Sequence, residues 1–197
     1  ANEDFFSMRK IAILASGGGT LAEAIFEAVD KNALACTIEA LICDKTDAPV
    51  IERARRYNIP VHLHPMSEDR QQWNRELLHY LQSLDLDLVV SAGFMRILDQ
   101  SVTSSLPIIN SHPALLPLFP GAHAVRDALA AGARKSGTTI HWVDAGVDTG
   151  EIIAQAELDI APDDNEESLH ERIKILERSL IVATIEQLLS TMENGRS

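Results

Sequence analysis

Apolar positions along the chain come in two kinds of run that alternate. KIAILAS at 10–16, TIEALICD at 37–44 and LDLVVSAG at 86–93 are near-continuous, the pattern of strands covered by helices on both faces. TLAEAIFEAVDKN at 20–32, APVIERARRYN at 48–58 and residues 68–83 instead space their apolar positions as helices do. With IPVHLH at 59–64 as a further strand, the rhythm is that of β-α-β units and a parallel sheet. From Pro107 the rhythm changes. PIINSH at 107–112 reads as a strand, AHAVRDALAAGA at 122–133 as a helix, and residues 136–160 as two β segments around a Gly-containing loop. If paired antiparallel, those segments leave a mixed sheet. Asp164 and Glu167 suggest a capping box for a last helix with Leu169, Ile173, Leu176 and Leu180 at core spacing. The expected fold is a single doubly wound α/β domain over residues 8–191, a mostly parallel sheet with helices on both faces and an antiparallel element near the C-terminal part. Residues 1–7 read as an extension and 192–197 as a tail.

Composition narrows this picture. A chain of 197 residues, 46% hydrophobic, is long enough for one sizeable core. No apolar run approaches the ~18 residues of a membrane helix and no signal-peptide core is visible, so the chain is expected to be soluble and cytoplasmic. Twenty-nine acidic against seventeen basic residues give a net charge of -12, which argues against a general nucleic-acid binder and leaves room for an anionic small molecule where donors cluster. Cys36 and Cys43 end one extended run, about 23 Å apart at ~3.3 Å per residue. They cannot bridge each other and have no metal-ligand spacing around them.

Two stretches carry candidate chemistry. SGGGTLAEA at 16–24 joins the first strand to the first helix, where glycines let backbone amides approach a phosphate. Its fit to G-x-G-x-x-A, with Asp44 ending the second strand, also suits a dinucleotide fold. The second stretch is INSHPALLPLFPG at 109–121. Alternation sends Asn110 and His112 to one face of the strand and Ser111 to the other. Pro113 ends the pairing at the strand's carboxyl end, where open α/β sheets bind ligands, and Pro117 and Pro120 stiffen the loop that follows. An amide donor beside an imidazole suits a reaction that builds charge on oxygen and moves a proton, as acyl transfer does. Asp144 and Asp148 both offer a carboxylate partner, and spacing does not choose between them. No serine or cysteine nucleophile shares that face, so the attacking group must come from the substrate.

SGGGT, GFMRIL at 93–98, NSHPALLPLFPG and VDAGVDTGEIIAQ at 143–155 together resemble the folate-dependent formyltransferases. The resemblance runs from about Met8 to Leu189, and SGGGT with the C-terminal helix narrows it to the phosphoribosylglycinamide formyltransferases of purine biosynthesis. It implies Asn110, His112 and Asp148 as the catalytic trio, acting as the amine of glycinamide ribonucleotide attacks the formyl carbon of 10-formyltetrahydrofolate. It implies nucleotide contacts from Gly17, Gly18, Gly19, Thr20, Lys174 and Glu177, the last for ribose. It implies a folate pocket formed by Met95, Arg96, Ile97 and Leu98, with Arg70 and Arg96 able to meet the folate's carboxylates or carbonyls. His141, Val143 and Asp144 flank that pocket, no metal is implied, and relatives include monomers and homodimers. Two departures stand out. Leu21 replaces a common Asn, and Cys43-Asp44-Lys45 stands where Ser-Asn-Lys is frequent, Asp44 reading as a strand-end turn residue.

Three alternatives compete with this reading. A formyltetrahydrofolate hydrolase would share the trio but is expected to carry an added N-terminal regulatory domain. A methionyl-tRNA formyltransferase would call for an added C-terminal domain and a basic tRNA-facing surface. An NAD-dependent oxidoreductase or a nucleotide-binding module would explain the glycine loop and leave Asn110, His112 and Asp148 idle.

Overall fold

In the computed structural model, which describes residues 8–192, seven strands form one sheet. They are β1 (Arg9–Ala15), β2 (Cys36–Cys43), β3 (Val61–Leu63), β4 (Leu88–Ser91), β5 (Ile108–His112), β6 (Lys135–Trp142) and β7 (Ile152–Asp159). The helices are α1 (Thr20–Asp30), α2 (Pro49–Arg56), α3 (Arg70–Ser83), α4 (Gln100–Thr103), α5 (Ala124–Ala130) and α6 (Glu166–Met192). Strand order is β3-β2-β1-β4-β5-β6-β7. The first five strands are parallel, and β6 and β7 join antiparallel, as the two β segments at 136–160 suggested. The extension expected at 1–7 lies outside the described residues, as does the tail beyond Met192, which closes α6.

Strand alternation divides the core in two. Ile11, Ile13, Leu41, Val90 and Ile109 pack against Ile25, Phe26, Val50, Ile181 and Ile185 from α1, α2 and α6. Ala12, Leu14, Ile42, Val89 and Ile108 pack on the opposite face against Trp73, Leu77, Leu81 and Val102 from α3 and α4. Both faces being covered, the strands carry the continuous apolar runs read in the sequence. Cys36 and Cys43 are free, buried thiols at the ends of β2, and burial pushes Cys36 up to about 12.

Two expectations about α6 are corrected. Its N-terminus is capped one residue later than expected: Asn165 Oδ1 accepts from the Ser168 amide at 2.9 Å while Ser168 Oγ accepts from the Asn165 amide at 2.9 Å. Asp164 instead ties the incoming turn, accepting from the Ala161 amide at 2.7 Å and pairing with Arg172. The buried stripe runs Leu169, Ile173, Glu177, Ile181, so a carboxylate occupies the place expected for Leu176.

The order of strands reverses between β1 and β4, which opens a crevice at their carboxyl ends. The loops leaving these strands are laced together there. The Ser16 amide donates to the Gly93 carbonyl at 3.1 Å, and the Met95 amide to Ser16 Oγ at 2.9 Å. Gly19 caps α1 at φ 77°, and a Cβ on it would lie 2.3 Å from Val50 Cγ2, whereas one on Gly17 would meet nothing within 4 Å. Gly19→Ala is therefore expected to lose about 1–3 kcal/mol in chemical denaturation, through left-handed strain and displacement of Val50, with Gly17→Ala close to wild type.

Candidate active site

Three elements meet at the tip of β5. Asn110 and His112 project to the α3 side of the sheet, the same side as Ile108, and antiparallel pairing sets His141 of β6 directly across from Asn110. Asn110 Nδ2 lies 3.2 Å from His141 Nε2. The loop between β6 and β7 then returns Asp148 between the two rings. Its Oδ2 is 3.4 Å from His112 Nδ1 and its Oδ1 3.5 Å from His141 Nε2. Of the two aspartates left open by spacing, Asp148 is the one facing His112. Asp144 is exposed and organises the loop, its Oδ1 accepting from Thr149 Oγ1 at 2.6 Å and the Gly146 amide at 3.0 Å.

The proline-rich loop after β5 supplies two backbone contacts that side-chain patterns do not reveal. His112 Nε2 donates to the Phe119 carbonyl at 2.8 Å, and the Gly121 amide donates to Asp148 Oδ2 at 2.8 Å. Phe119, Gly121 and Asp148 all have positive φ, at 52°, 96° and 55°. Glycine after Pro120 was the available signal at Gly121, since only glycine takes such angles without cost.

The Asp148 side chain is only 12% exposed, and burial on its own raises a carboxyl. Hydrogen bonds from His141 and the Gly121 amide, with the His112 charge, outweigh burial and hold Asp148 below the usual carboxylate range. Burial likewise lowers His141, but the hydrogen bond to Asp148, the Trp142 carbonyl on Nδ1 and the Asp148 charge leave it raised above 6.5. Asp144 is lowered by the Thr149 hydroxyl and the Gly146 amide.

The remaining sequence-predicted residues fall in two groups. Arg70, Ile97 and Leu98 line an open cleft of about 340 Å³ with Asn74 and Asp99, on the α3 side. Its wall at Ala145 belongs to the loop that carries Asp148. Val143 packs against that side of the core, and Met95 is 64% exposed on the same loop as Ile97. Asn74, not foreseen, holds the cleft's shape: its Nδ2 donates to the Arg70 carbonyl and its Oδ1 accepts from the Asp99 amide. On the α1 and α6 side lie the loop of Gly17, Gly18 and Gly19, Thr20 opening α1, and Lys174 and Glu177 on α6. Lys174 pairs with Glu171 at 3.0 Å. Glu177 is buried and accepts from Ser111 Oγ at 2.6 Å.

Asp44 is more than a turn residue. Its side chain is fully buried at the end of β2, with Oδ2 accepting from Arg96 Nε at 2.6 Å and Oδ1 without a partner among the described residues. Arg96, which does not line the cleft itself, is thus anchored through Nε beside Ile97. Among the described residues, no helix is long and apolar enough to cross a membrane, and no group of three His, Cys, Asp or Glu is placed to hold a metal.

Two outcomes follow from these pairs. Because its pKa is raised on folding, His141 contributes stability that is complete below about 6.5 and lost as pH rises through its folded value. Asp148→Asn is expected to lower the His141 titration midpoint followed by ring proton NMR; an unchanged midpoint would separate the two groups. Arg96→Ala is expected to cost about 2 kcal/mol in denaturant titration, less than the ~3–5 kcal/mol of a fully buried pair, because the guanidinium side chain is 28% exposed. Asp44→Asn in the same chain should recover part of that loss.

Comparison with known proteins gives a consistent result. The family described as Formyl transferase matches residues 9–185. The chain is similar to a phosphoribosylglycinamide formyltransferase of Bacillus subtilis, 38% identical over 192 residues, which covers 95% of this chain and 98% of the relative. A Mycobacterium tuberculosis protein of the same name is 40% identical, covering 91% and 84%. Among solved structures, phosphoribosylglycinamide formyltransferase from Bacillus halodurans superposes with a TM-score of 0.89 at 39% identity, covering 94% of this chain and 98% of that one. Glycinamide ribonucleotide transformylase 1 from Symbiobacterium toebii gives a TM-score of 0.90 at 34% identity, covering 93% and 89%.

Proposed function

The chain belongs to the formyl transferase family, and on that premise we propose that it transfers the formyl group of 10-formyltetrahydrofolate to the amine of glycinamide ribonucleotide in purine biosynthesis. What supports the reading is the meeting of Asn110, His112 and Asp148 at the tip of β5, between a cleft on one face of the sheet and a glycine loop on the other.

The pterin and benzoyl parts of the folate occupy the cleft bounded by Arg70, Ile97 and Leu98, with Met95 and Val143 contributing from the adjoining loops. Arg70 and the terminal nitrogens of Arg96 meet its carboxylates or carbonyls. The nucleotide phosphate lies at Gly17, Gly18, Gly19 and Thr20, where the free amides at the start of α1 favour an anion. Lys174 supports the phosphate and Glu177 the ribose. Both substrates then approach the same strand end from opposite sides.

In the reaction, the amine nitrogen bonds to the formyl carbon and the carbonyl electron pair moves onto oxygen. Asn110 donates to that oxyanion, and His112, with Asp148 3.4 Å from its Nδ1, stabilises the charge. Asp148 takes a proton from the attacking amine, a proton reaches the folate nitrogen, and the pair on oxygen returns as the carbon–nitrogen bond to folate breaks. The step uses no metal. His141, across the strand pair from Asn110, keeps Asp148 ionised and aligned.

His112→Ala is expected to leave the fold intact by circular dichroism and to lower kcat by at least ~100-fold. Formyl-folate consumption should depend on added glycinamide ribonucleotide. Equal consumption without the amine would replace this reading with a hydrolase.

A further inference from the structure

The bond between Ser111 and Glu177 takes no part in the steps above. Ser111 stands between Asn110 and His112 but faces the other way, towards α6. Its Oγ donates to Glu177 Oε2 at 2.6 Å and lies 3.3 Å from Thr138 Oγ1, which itself donates to the His112 carbonyl at 3.2 Å. Glu177 occupies the stripe Leu169, Ile173, Glu177, Ile181, where an apolar side chain would bury without cost, and only 7% of it is exposed. Ser111 is the one hydrogen-bond donor to this carboxylate among the described residues, and Glu177 Oε1 accepts from none of them.

A carboxylate buried this deeply with a single neutral donor is poorly compensated, which favours completion of its shell by hydroxyl donors from a ligand. Lys174 and Arg178 on α6 add positive charge, but burial still raises Glu177 above the usual range. Without the Ser111 hydroxyl the side chain would lose both its orientation and the donor that favours its ionised form.

We propose that Ser111 is a positioning residue for the ribonucleotide, its hydroxyl fixing Glu177 so that the free carboxylate oxygen accepts from a ribose hydroxyl. The proposal rests on the assignment of Glu177 to ribose. It also gives the nucleotide a rigid connection to the reacting groups, since Ser111 belongs to the same strand as Asn110 and His112.

Steady-state kinetics with each substrate varied in turn tests this on the full chain. Ser111→Ala is expected to raise the KM for glycinamide ribonucleotide about tenfold or more, the effect of losing a hydrogen bond to a charged group. Its kcat and its KM for the folate should stay within about twofold of wild type. Ser111→Thr, which keeps the hydroxyl, should restore the nucleotide KM. Ser111→Cys, near in size and a weak donor, should reproduce the rise if the alanine variant does not fold. Glu177→Gln separates the two readings. If it raises the nucleotide KM while both Ser111→Ala and Ser111→Cys leave it unchanged, the positioning role is wrong and the ribose assignment stands. If Glu177→Gln has no effect, the ribose assignment itself fails. A Ser111→Ala variant with both KM values and kcat changed together would overturn the proposal by showing general damage to the strand.

Discussion

Successive side chains of a strand must point to opposite faces, and β5 turns that restriction to use. Asn110 and His112 look towards α3 and the cleft, while Ser111 between them looks towards α6 and Glu177. A strand end set within the sheet can therefore serve two ligands at once, one on each face. Its neighbour β4 borders the reversal of strand order, where open α/β sheets leave a crevice at the carboxyl ends, and the hydrogen bonds between the loops after β1 and β4 fix its floor. Had the same residues stood on a helix, Asn110 and His112 would lie about 200° apart around the axis. The period of two is what makes them neighbours.

Asp148 reaches this strand from a loop held in an unfavourable conformation. Its φ of 55° is uncommon for a residue with a side chain. A Cβ on Gly150, two residues on, would sit 1.6 Å from the Trp142 carbonyl oxygen, so the loop can close over β6 only with glycine there. What offsets the strain is the local set of donors: the Gly121 amide on Oδ2 and two imidazoles within 3.5 Å. Such strain is sustained where surrounding contacts over-determine a geometry. Here they hold a carboxylate ionised beside His112.

Most of the fold was legible because buried parallel strands and amphipathic helices write their periods directly into the chain. The run at 10–16 became β1, and the two β segments at 136–160 became β6 and β7. Helix ends were less legible. Asn165 and Ser168 form as good a cap as Asp164 and Glu167, and only the turn at Ala161 decides between them. At the site, the shared face of Asn110 and His112 followed from spacing, while the Phe119 carbonyl and the Gly121 amide did not, because backbone groups carry no letter of their own. Asp44 with Arg96 and Ser111 with Glu177 were hidden for another reason. Their partners lie 52 and 66 residues apart, and each pair forms only when the sheet is assembled.

A chain with net charge -12 must still attract two anionic substrates, and the structure resolves this locally rather than through a basic surface. Leu21 packs partly buried against the core, so on the proposed function the glycine loop would meet a phosphate there with backbone amides at the start of α1. Those amides are neutral donors and are not neutralised by nearby acids. Two of the side-chain cations assigned to ligands are already partnered: Lys174 by Glu171, and Arg96 by the buried Asp44. Partnering costs little of their reach, since Arg96 is held through Nε alone and keeps its terminal nitrogens. It fixes their direction instead, which reduces the side-chain entropy lost when a ligand arrives. Selectivity then comes from oriented donors facing two sides of one strand, while the acidic remainder of the surface repels polyanions that would compete for them.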